Sequence, residues 1–223
     1  MPNFDIIKLS DVDDTFRVQK IKADFDFRTE HSTEHFTGRI DFPNQWNIGV
    51  IVGASGSGKS TIARELFGEP KKYQYTHKSV IDDMPKTCSV DEIEKMFYAV
   101  GFGSVPSWLK PYNVLSNGEK MRVDLARALL SSDLICFDEF TSVVDRDVAR
   151  TSCIAVNKAI RRTGKKFIAV SCHYDILEWI EPDWVFDTNV MKSFFGNARE
   201  HEKLTRCGNA GVMNGKSLGV ITI

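Results

Sequence analysis

A glycine-rich run that ends in lysine and serine offers the clearest chemistry in the sequence. It fits the pattern G-x-x-x-x-G-K-[ST] of a phosphate-binding P-loop. The glycines let the backbone curl, so that successive N–H groups point at phosphate oxygens. Lys59 is expected to reach the β- and γ-phosphates of a nucleotide, and the Ser60 hydroxyl is expected to ligate Mg²⁺. The residues expected to bind nucleotide here are Gly53, Ala54, Ser55, Gly56, Ser57, Gly58, Lys59, Ser60 and Thr61.

The segments on either side of this run are those that a P-loop requires. Residues 47–52 are mostly apolar and predict a short buried strand, and residues 61–67 predict a helix that Gly68 ends. The positive end of a helix that begins here adds to the attraction for phosphate. The alternative is a surface turn rich in glycine and serine, and the order strand, loop, helix argues against it.

An acidic pair follows a second apolar run. Residues 134–137 predict a parallel strand that is covered on both faces, and Asp138 and Glu139 come directly after it. Asp138 at a strand tip beside the P-loop can hold Mg²⁺ through water, and Glu139 can polarise the attacking water as a general base. Such a pair alone is weak support for a site, because strand ends are often polar, but an upstream P-loop strengthens it.

Between these two motifs lies the segment Leu115-Ser116-Asn117-Gly118-Glu119, and a helix is predicted from Glu119 onward. The segment resembles the LSGGQ signature of ATP-binding cassette (ABC) ATPases, with Asn117 in place of glycine and Glu119 in place of glutamine. The resemblance implies a second anion site, in which Ser116, Asn117 and Gly118 contact a γ-phosphate at a helix N-terminus. The alternative is an ordinary N-capped helix, since Ser-Asn-Gly is common in caps and turns.

Two further positions extend the resemblance, which covers residues 47–187. Residues 142–145 follow the acidic pair as the D-loop of the family does, so Asp145 is expected at the nucleotide. His173 follows the next predicted strand as the switch histidine of the family does, which implies a catalytic hydrogen bond to the γ-phosphate. Strand ends are where α/β sheets carry ligand sites.

Two features of the family have no clear counterpart in the sequence. The glutamine of the Q-loop is missing in its usual place: Gln74 lies early, so Asp82 or Asp83 is a hypothetical substitute at the end of a strand predicted over residues 73–81. The aromatic residue that stacks on adenine in many relatives is also unassigned. Its candidates are Phe16, Phe25, Phe27 and Phe36, and for each of them a place in the core is the favoured interpretation.

The order of predicted elements indicates an α/β fold. Apolar and polar residues alternate over residues 16–27 and 35–42, which predicts two antiparallel strands laid against the nucleotide core. Predicted helices over residues 89–100, with a capping box at Ser89 and Glu92, and over residues 147–163 alternate with strands further along. The expected fold is a three-layer P-loop NTPase core of the RecA-like/ABC type, with an N-terminal antiparallel β leaf and a reduced helical subdomain.

The expected domain organisation is simple. Residues 1–195 are expected to form a single ABC-type ATPase domain, with a helical subdomain at about residues 86–130. Residues 196–223 are rich in glycine and asparagine and predict an irregular tail.

Composition excludes several classes of protein. The net charge of −1 gives no general attraction to nucleic acid or to anionic membranes, and no apolar run approaches the roughly 18 residues that span a bilayer. The N-terminus does not resemble a signal peptide. The five cysteines are scattered without a C-x-x-C pair, which indicates a reducing cytoplasm.

The resemblance implies ATP and Mg²⁺ as cofactors, ATP hydrolysis, and a homodimer that forms on ATP binding. The segment between the P-loop helix and the signature is shorter than in transporter cassettes, where this region builds the groove that receives the membrane subunit. We therefore expect a soluble protein or nucleic acid as the partner, rather than a membrane permease. The alternatives are the ATP-binding subunit of a membrane transporter and a non-catalytic, nucleotide-gated binding module.

Overall fold

The computed structural model describes residues 2–26 and 31–195, and it contains a small sheet, a larger sheet and helices on both faces of the larger sheet. The expected tail, residues 196–223, lies outside the described residues, as does Phe27. The strands are β1 (Asn3–Asp11), β2 (His31–Arg39), β3 (Ile48–Val52), β4 (Leu134–Phe137), β5 (Lys166–Ser171), β6 (Trp184–Asp187) and β7 (Lys192–Phe195). The helices are α1 (Phe16–Asp24), α2 (Lys59–Phe67), α3 (Val90–Ala99), α4 (Val105–Trp108), α5 (Asn117–Ser131), α6 (Arg146–Thr163) and α7 (Ile176–Ile180).

The larger sheet has the strand order β4-β5-β3-β6-β7. Its first four strands are parallel, and β7 pairs antiparallel with β6. Strand β3 is buried along its whole length because side chains on both of its faces pack into cores. Ile48, Val50 and Val52 pack against the side that carries α3, α5, α6 and α7, whereas Ile51 packs against the side that carries α2 and the small sheet. The expected three-layer α/β fold is confirmed.

The small sheet consists of β1 and β2, which pair antiparallel from Asn3 opposite Arg39 to Asp11 opposite His31. An antiparallel leaf was expected here, but its first strand was placed wrongly. Residues 16–24 form helix α1, whose N-cap Thr15 accepts a hydrogen bond from the Val18 N–H. None of the residues of α1 is buried. The alternation of apolar and polar residues therefore does not correspond to a buried face here, and it does not indicate a strand.

The strand expected over residues 73–81 is also absent. Residues 73–79 have no regular secondary structure, and Val80–Asp83 form a 3₁₀ turn. Tyr75 stacks on Tyr112 with 3.9 Å between ring centroids, and both hydroxyls donate to Asp124 of α5 at 2.7 Å. These side-chain contacts hold the segment against α5, which overrides the β propensity of its aromatic residues.

The helical part between α2 and β4 contains α3, α4, a second 3₁₀ turn at Tyr112–Val114, and α5. Helix α3 begins where the capping box predicted: Ser89 Oγ accepts from the Glu92 N–H, and Glu92 Oε2 accepts from the Ser89 N–H at 2.7 Å. Helix α6 starts one residue before its predicted start and has Asp145 as its N-cap. That residues 86–130 form a separate subdomain stays a prediction.

Among the residues that the structure describes, none of the helices combines the length and the apolar character needed to cross a membrane.

Candidate nucleotide site

The glycine-rich loop connects the end of β3 to the start of α2 at the carboxyl edge of the larger sheet. Gly53, Gly56 and Gly58 have positive φ angles of 152°, 79° and 83°. A Cβ atom at Gly58 would lie 2.5 Å from the ring of Phe36, and one at Gly53 would lie 2.0 Å from Thr188 Oγ1. At these two positions both the backbone conformation and the lack of space require glycine.

Side chains of the turn after β6 hold the loop in place. The Ala54 N–H donates to Asn189 Oδ1 at 2.9 Å, and the Ser57 and Thr188 hydroxyls are 2.5 Å apart. Thr188 is itself fixed, because its N–H and its hydroxyl both donate to the Val52 carbonyl. Neither Thr188 nor Asn189 was predicted from the sequence to support the loop. The available signal was that polar residues directly follow a strand that neighbours β3.

Lys59 bridges the loop from the first turn of α2. Its Nζ donates to the Ala54 carbonyl at 2.6 Å. Burial lowers the pKa of Lys59, and the nearby Cys172 and Asp138 partly oppose this shift. The ammonium group thus lies across the loop, next to the backbone N–H groups that the motif assigns to phosphate binding.

Ser60 and the acidic pair meet beside the loop. Ser60 Oγ donates to Asp138 Oδ1 at 2.8 Å, and the same carboxylate oxygen accepts from the Glu139 N–H at 2.9 Å. Hydroxyl and carboxylate oxygens are ligands that Mg²⁺ prefers, and Mg²⁺ normally needs few protein ligands when phosphates supply the others. The described residues contain no cluster of three or more His, Cys, Asp or Glu side chains that could hold a metal.

Glu139 adopts a left-handed backbone conformation, with φ of 53°. The next residue, Phe140, is fully buried, and its N–H donates to the Val170 carbonyl at 2.8 Å. This anchor fixes the chain immediately after Glu139, and Glu139 lines the cleft beside the P-loop. Strained backbone of this kind is often found at functional sites, because the surrounding packing must maintain it.

The cleft itself has a volume of about 500 Å³. Its walls come from the P-loop, the residues after β4, the end of β5 and one face of the small sheet. The small sheet contributes Lys8, Glu34 and Phe36, with Lys8 Nζ 3.5 Å from Glu34 Oε2. A cleft with a cationic P-loop at one end and an aromatic ring on its wall has the chemistry to bind a nucleoside phosphate.

Of the three described phenylalanines among the candidates for stacking on adenine, Phe36 is the one that lines the cleft. Its ring contacts Gly58 and packs against the core below the small sheet. Phe16 and Phe25 lie on and next to α1, with exposures of 83% and 75%, and neither is among the described residues that line the cleft.

The segment with the signature motif lies apart from this cleft. Ser116 is the N-cap of α5: its hydroxyl accepts from the Glu119 N–H, and Glu119 Oε2 accepts from the Ser116 N–H at 2.9 Å. In the described part of the chain, neither Ser116 nor Asn117 nor Gly118 lines the cleft. A Cβ atom on Gly118 would lie 3.1 Å from Val148 of α6, so α5 and α6 approach closely at their N-terminal ends.

Asp145 and His173 flank the cleft without lining it. Asp145 caps α6 and accepts from the Val148 N–H at 2.9 Å. The His173 N–H donates to Ser171 Oγ at 3.1 Å, and the preceding residue, Cys172, does line the cleft. Burial lowers the pKa of His173; Arg146 lowers it further and Asp175 opposes the shift.

The structure does not support Asp82 or Asp83 as a substitute for the Q-loop glutamine. Asp83 is 5% exposed and accepts from the Thr76 N–H at 3.0 Å and from His77 Nδ1 at 2.7 Å, so it stabilises a turn. Asp82 accepts from the Ser79 hydroxyl, and neither carboxylate is among the described residues of the cleft. Gln74 is not in a strand, and its carbonyl accepts from Arg127.

The chain is related in sequence to known ATP-binding proteins. The energy-coupling factor transporter ATP-binding protein EcfA1 of Staphylococcus aureus (strain N315) is 30% identical, over 74% of this chain and 76% of that protein. An ABC transporter ATP-binding protein of Haemophilus influenzae is 31% identical, over 58% of this chain and 64% of that protein. No family model matches the chain.

Solved structures show the same fold at lower sequence identity. CbiO1 from Clostridium perfringens, part of the ABC transporter complex CbiONQ, superposes with a TM-score of 0.57 at 18% identity, over 82% of this chain and 93% of that chain. A bacterial ABC transporter cassette in a dimeric structure superposes with a TM-score of 0.54 at 16% identity, over 82% and 94% of the two chains.

Proposed function

The chain belongs to the family of ABC ATP-binding proteins, and on that premise we propose that two copies of it bind and hydrolyse ATP between them to drive a membrane transport component. As an ABC ATPase the chain uses ATP with Mg²⁺. The head-to-tail dimer and the membrane partner are the parts of this proposal that need testing.

The arrangement of Ser60, Asp138 and Glu139 beside the P-loop carries the proposal. The Ser60 hydroxyl and the Asp138 carboxylate lie 2.8 Å apart, and the next residue, Glu139, lines the same cleft. The first two residues would hold Mg²⁺, which neutralises developing phosphate charge when bound. Glu139 would accept a proton from the attacking water. Lys59 would exchange its hydrogen bond to the Ala54 carbonyl for phosphate oxygens.

The position of the signature segment supports a dimer. Ser116, Asn117 and Gly118 do not line the cleft of their own chain in the described structure, although the resemblance assigns them to a γ-phosphate. A second copy related by a two-fold axis would bring its signature segment to the first copy's P-loop, and the reverse, which makes an isologous interface with two composite sites. One of the solved cassettes with the same fold was determined as a dimer.

The comparisons do not support a soluble protein or nucleic acid as the partner. The EcfA1 protein and the Haemophilus influenzae protein named above are both ATP-binding proteins of transporters. Exposed apolar side chains also occur along the short helical part, which the resemblance assigns to contact with a membrane subunit, and exposed apolar patches often mark interaction sites. These side chains are Val90, Tyr98, Val105, Leu109 and Val114.

The partner can be tested by co-purification from detergent-solubilised native cells. We expect Glu139→Gln protein with ATP to retain an integral membrane protein at fixed stoichiometry, and Leu109→Asp to weaken this association. Leu109 is 66% exposed, so the change should leave the fold intact. A matched control is Ile7→Asp, at a residue 60% exposed on the small sheet. Recovery of only a soluble protein or DNA, unaffected by Leu109→Asp, would contradict the membrane partner.

A further inference from the structure

Arg146 connects the two loops that carry Asp145 and His173. It is the first residue of α6 and follows Asp145 directly, and its partner Asp175 lies two residues after His173. Arg146 Nε donates to Asp175 Oδ2 at 2.8 Å, and Arg146 Nη2 donates to Asp175 Oδ1. Two parallel hydrogen bonds between a guanidinium and a carboxylate fix orientation as well as distance.

Further contacts distinguish this ion pair from an ordinary surface pair. The Arg146 guanidinium lies 5.2 Å from the ring centroid of Trp179 on α7, within the range of a cation–π contact. Its third nitrogen, Nη1, is buried and has no hydrogen-bond partner within the described residues. A buried donor without a partner is unfavourable, so the guanidinium keeps this position because its other contacts outweigh that cost. A lysine could not reproduce the planar fork or the stacking.

The residues after His173 are anchored on two sides. Tyr174 OH donates to Asp187 Oδ2 at 2.9 Å and accepts from Asn189 Nδ2 at 3.0 Å, and Asn189 is the residue that accepts from the P-loop Ala54 N–H. Asp175 is held by Arg146. The backbone that follows His173 is therefore tied to the P-loop through one residue and to the start of α6 through the next.

From these contacts we propose that Arg146 is a positioning residue for His173, which makes the Asp145 and His173 loops move as one unit. When a second copy docks against Asp145, the bidentate pair would transmit that contact to the imidazole. This inference rests on the proposed function and on the resemblance, which assigns both Asp145 and His173 to the nucleotide. It goes beyond that function because it predicts that two loops of the same chain are coupled. Asp145 in one loop and His173 in the other are 28 positions apart in the sequence.

The test uses three variants and a matched control in the full chain. Arg146→Gln and Asp175→Asn each remove one side of the pair, and Arg146→Lys keeps the charge but not the fork. The control is Arg161→Gln on the same helix, because Arg161 pairs with Asp183 at 3.2 Å and its side chain is 39% exposed, against 38% for Arg146. The readouts are ATP turnover, KM for ATP, and the titration of His173 by NMR, assigned with a His173→Gln spectrum.

We expect all three variants to lower kcat by roughly ten- to hundredfold, since a small misplacement of a catalytic group costs this much. KM for ATP should change little, because the P-loop contacts are intact. The two single neutralisations should move the pKa of His173 in opposite directions. Loss of the Arg146 cation should raise it, and loss of the Asp175 anion should lower it, because these are the two charges that act on the imidazole. Arg146→Lys should keep the pKa low while still losing turnover.

A purely structural role would lower the thermal stability of all three variants and would raise KM for ATP together with the loss of kcat. That result, or unchanged kcat in all three variants, or an equal loss of kcat in Arg161→Gln, would overturn the inference. If the unmodified chain showed no ATP turnover, the proposed function would fail, yet the opposite pKa shifts would still show that the charges of the pair act on the His173 imidazole. The two failures are therefore distinguishable.

Discussion

The two regions assigned to nucleotide phosphates differ in how complete they are within one chain. On the P-loop side, Lys59, Ser60, Asp138 and Glu139 line a single cleft, and hydrogen bonds of 2.6–2.9 Å fix three of them. On the signature side, Ser116 is engaged in a capping box and lies apart from that cleft. Under the proposed function, the two regions form whole sites when two copies pair, because the signature segment of one copy then reaches the P-loop of the other.

The largest effect is expected at the P-loop. Lys59→Ala should weaken ATP binding by about 10- to 100-fold, because a hydrogen bond to a charged group contributes roughly 1.5–3 kcal/mol. The fold should remain intact, since Lys59 bonds only to a loop carbonyl. Isothermal titration calorimetry measures the affinity, and circular dichroism checks the fold. An unchanged affinity would show that the P-loop does not bind the nucleotide.

A mixing experiment addresses both sides together. Lys59→Ala and Ser116→Arg should each be inactive alone, because each destroys one half of both composite sites. In a mixture, a heterodimer combines the intact P-loop of one chain with the intact signature of the other, so ATP turnover should partly return. A mixture as inactive as its components would contradict the head-to-tail arrangement. It would also contradict the view that the signature region acts on the P-loop of another chain.

Phe36 lines the cleft and is the candidate for stacking on the base. Phe36→Leu keeps an apolar side chain against the core but removes the aromatic face, and stacking of a base on an aromatic ring contributes roughly 1–3 kcal/mol. We expect KM for ATP to rise by about tenfold, with kcat changed little. Phe25→Leu is the control, since Phe25 is exposed and does not line the cleft. Equal effects of the two changes would rule out stacking on Phe36.

The parts of the site that could be predicted are those whose residues are neighbours in the sequence. The P-loop, the acidic pair and the capping box at Ser89 each lie within a few neighbouring residues, so spacing alone predicted their elements. Helix α5 was also predicted, but it begins at Asn117 rather than at Glu119. Thr188 and Asn189 support the P-loop from more than 130 positions away, and only the placement of β6 beside β3 brings them there. Side-chain chemistry identifies such residues only after the strand order is known.

The wrong predictions have the same cause. Residues 73–81 have strand-forming side chains, but contacts with Tyr112, Asp124 and Arg127 determine their conformation. Apolar and polar residues alternate over residues 16–24 as in a strand, but none of these residues is buried. The segment instead forms a helix that is capped by Thr15. In both segments the local pattern was ambiguous, and tertiary contacts or their absence decided the structure.

The smallest effect on turnover is expected at Asp83. Its carboxylate is buried and accepts hydrogen bonds from the Thr76 and His77 backbone, so Asp83→Ala should lower the free energy of unfolding by about 1–3 kcal/mol. Turnover by the folded fraction should be unchanged, and Gln74→Ala should change neither quantity appreciably. Urea unfolding and ATPase assays measure the two effects. A specific loss of turnover in Asp83→Ala, at unchanged stability, would restore the hypothesis that Asp83 replaces the Q-loop glutamine.

The most direct test of the composite site is the molar mass of Glu139→Gln protein in solution. Without the general base, ATP should bind but remain intact, so the nucleotide-bound dimer should persist. One chain has a mass of 25.2 kDa, and static light scattering with ATP and Mg²⁺ should give twice that value. With ADP, or after the addition of Ser116→Arg, it should give the mass of one chain. A Glu139→Gln protein that stays monomeric at saturating ATP, or a double variant that stays dimeric, would contradict the composite site.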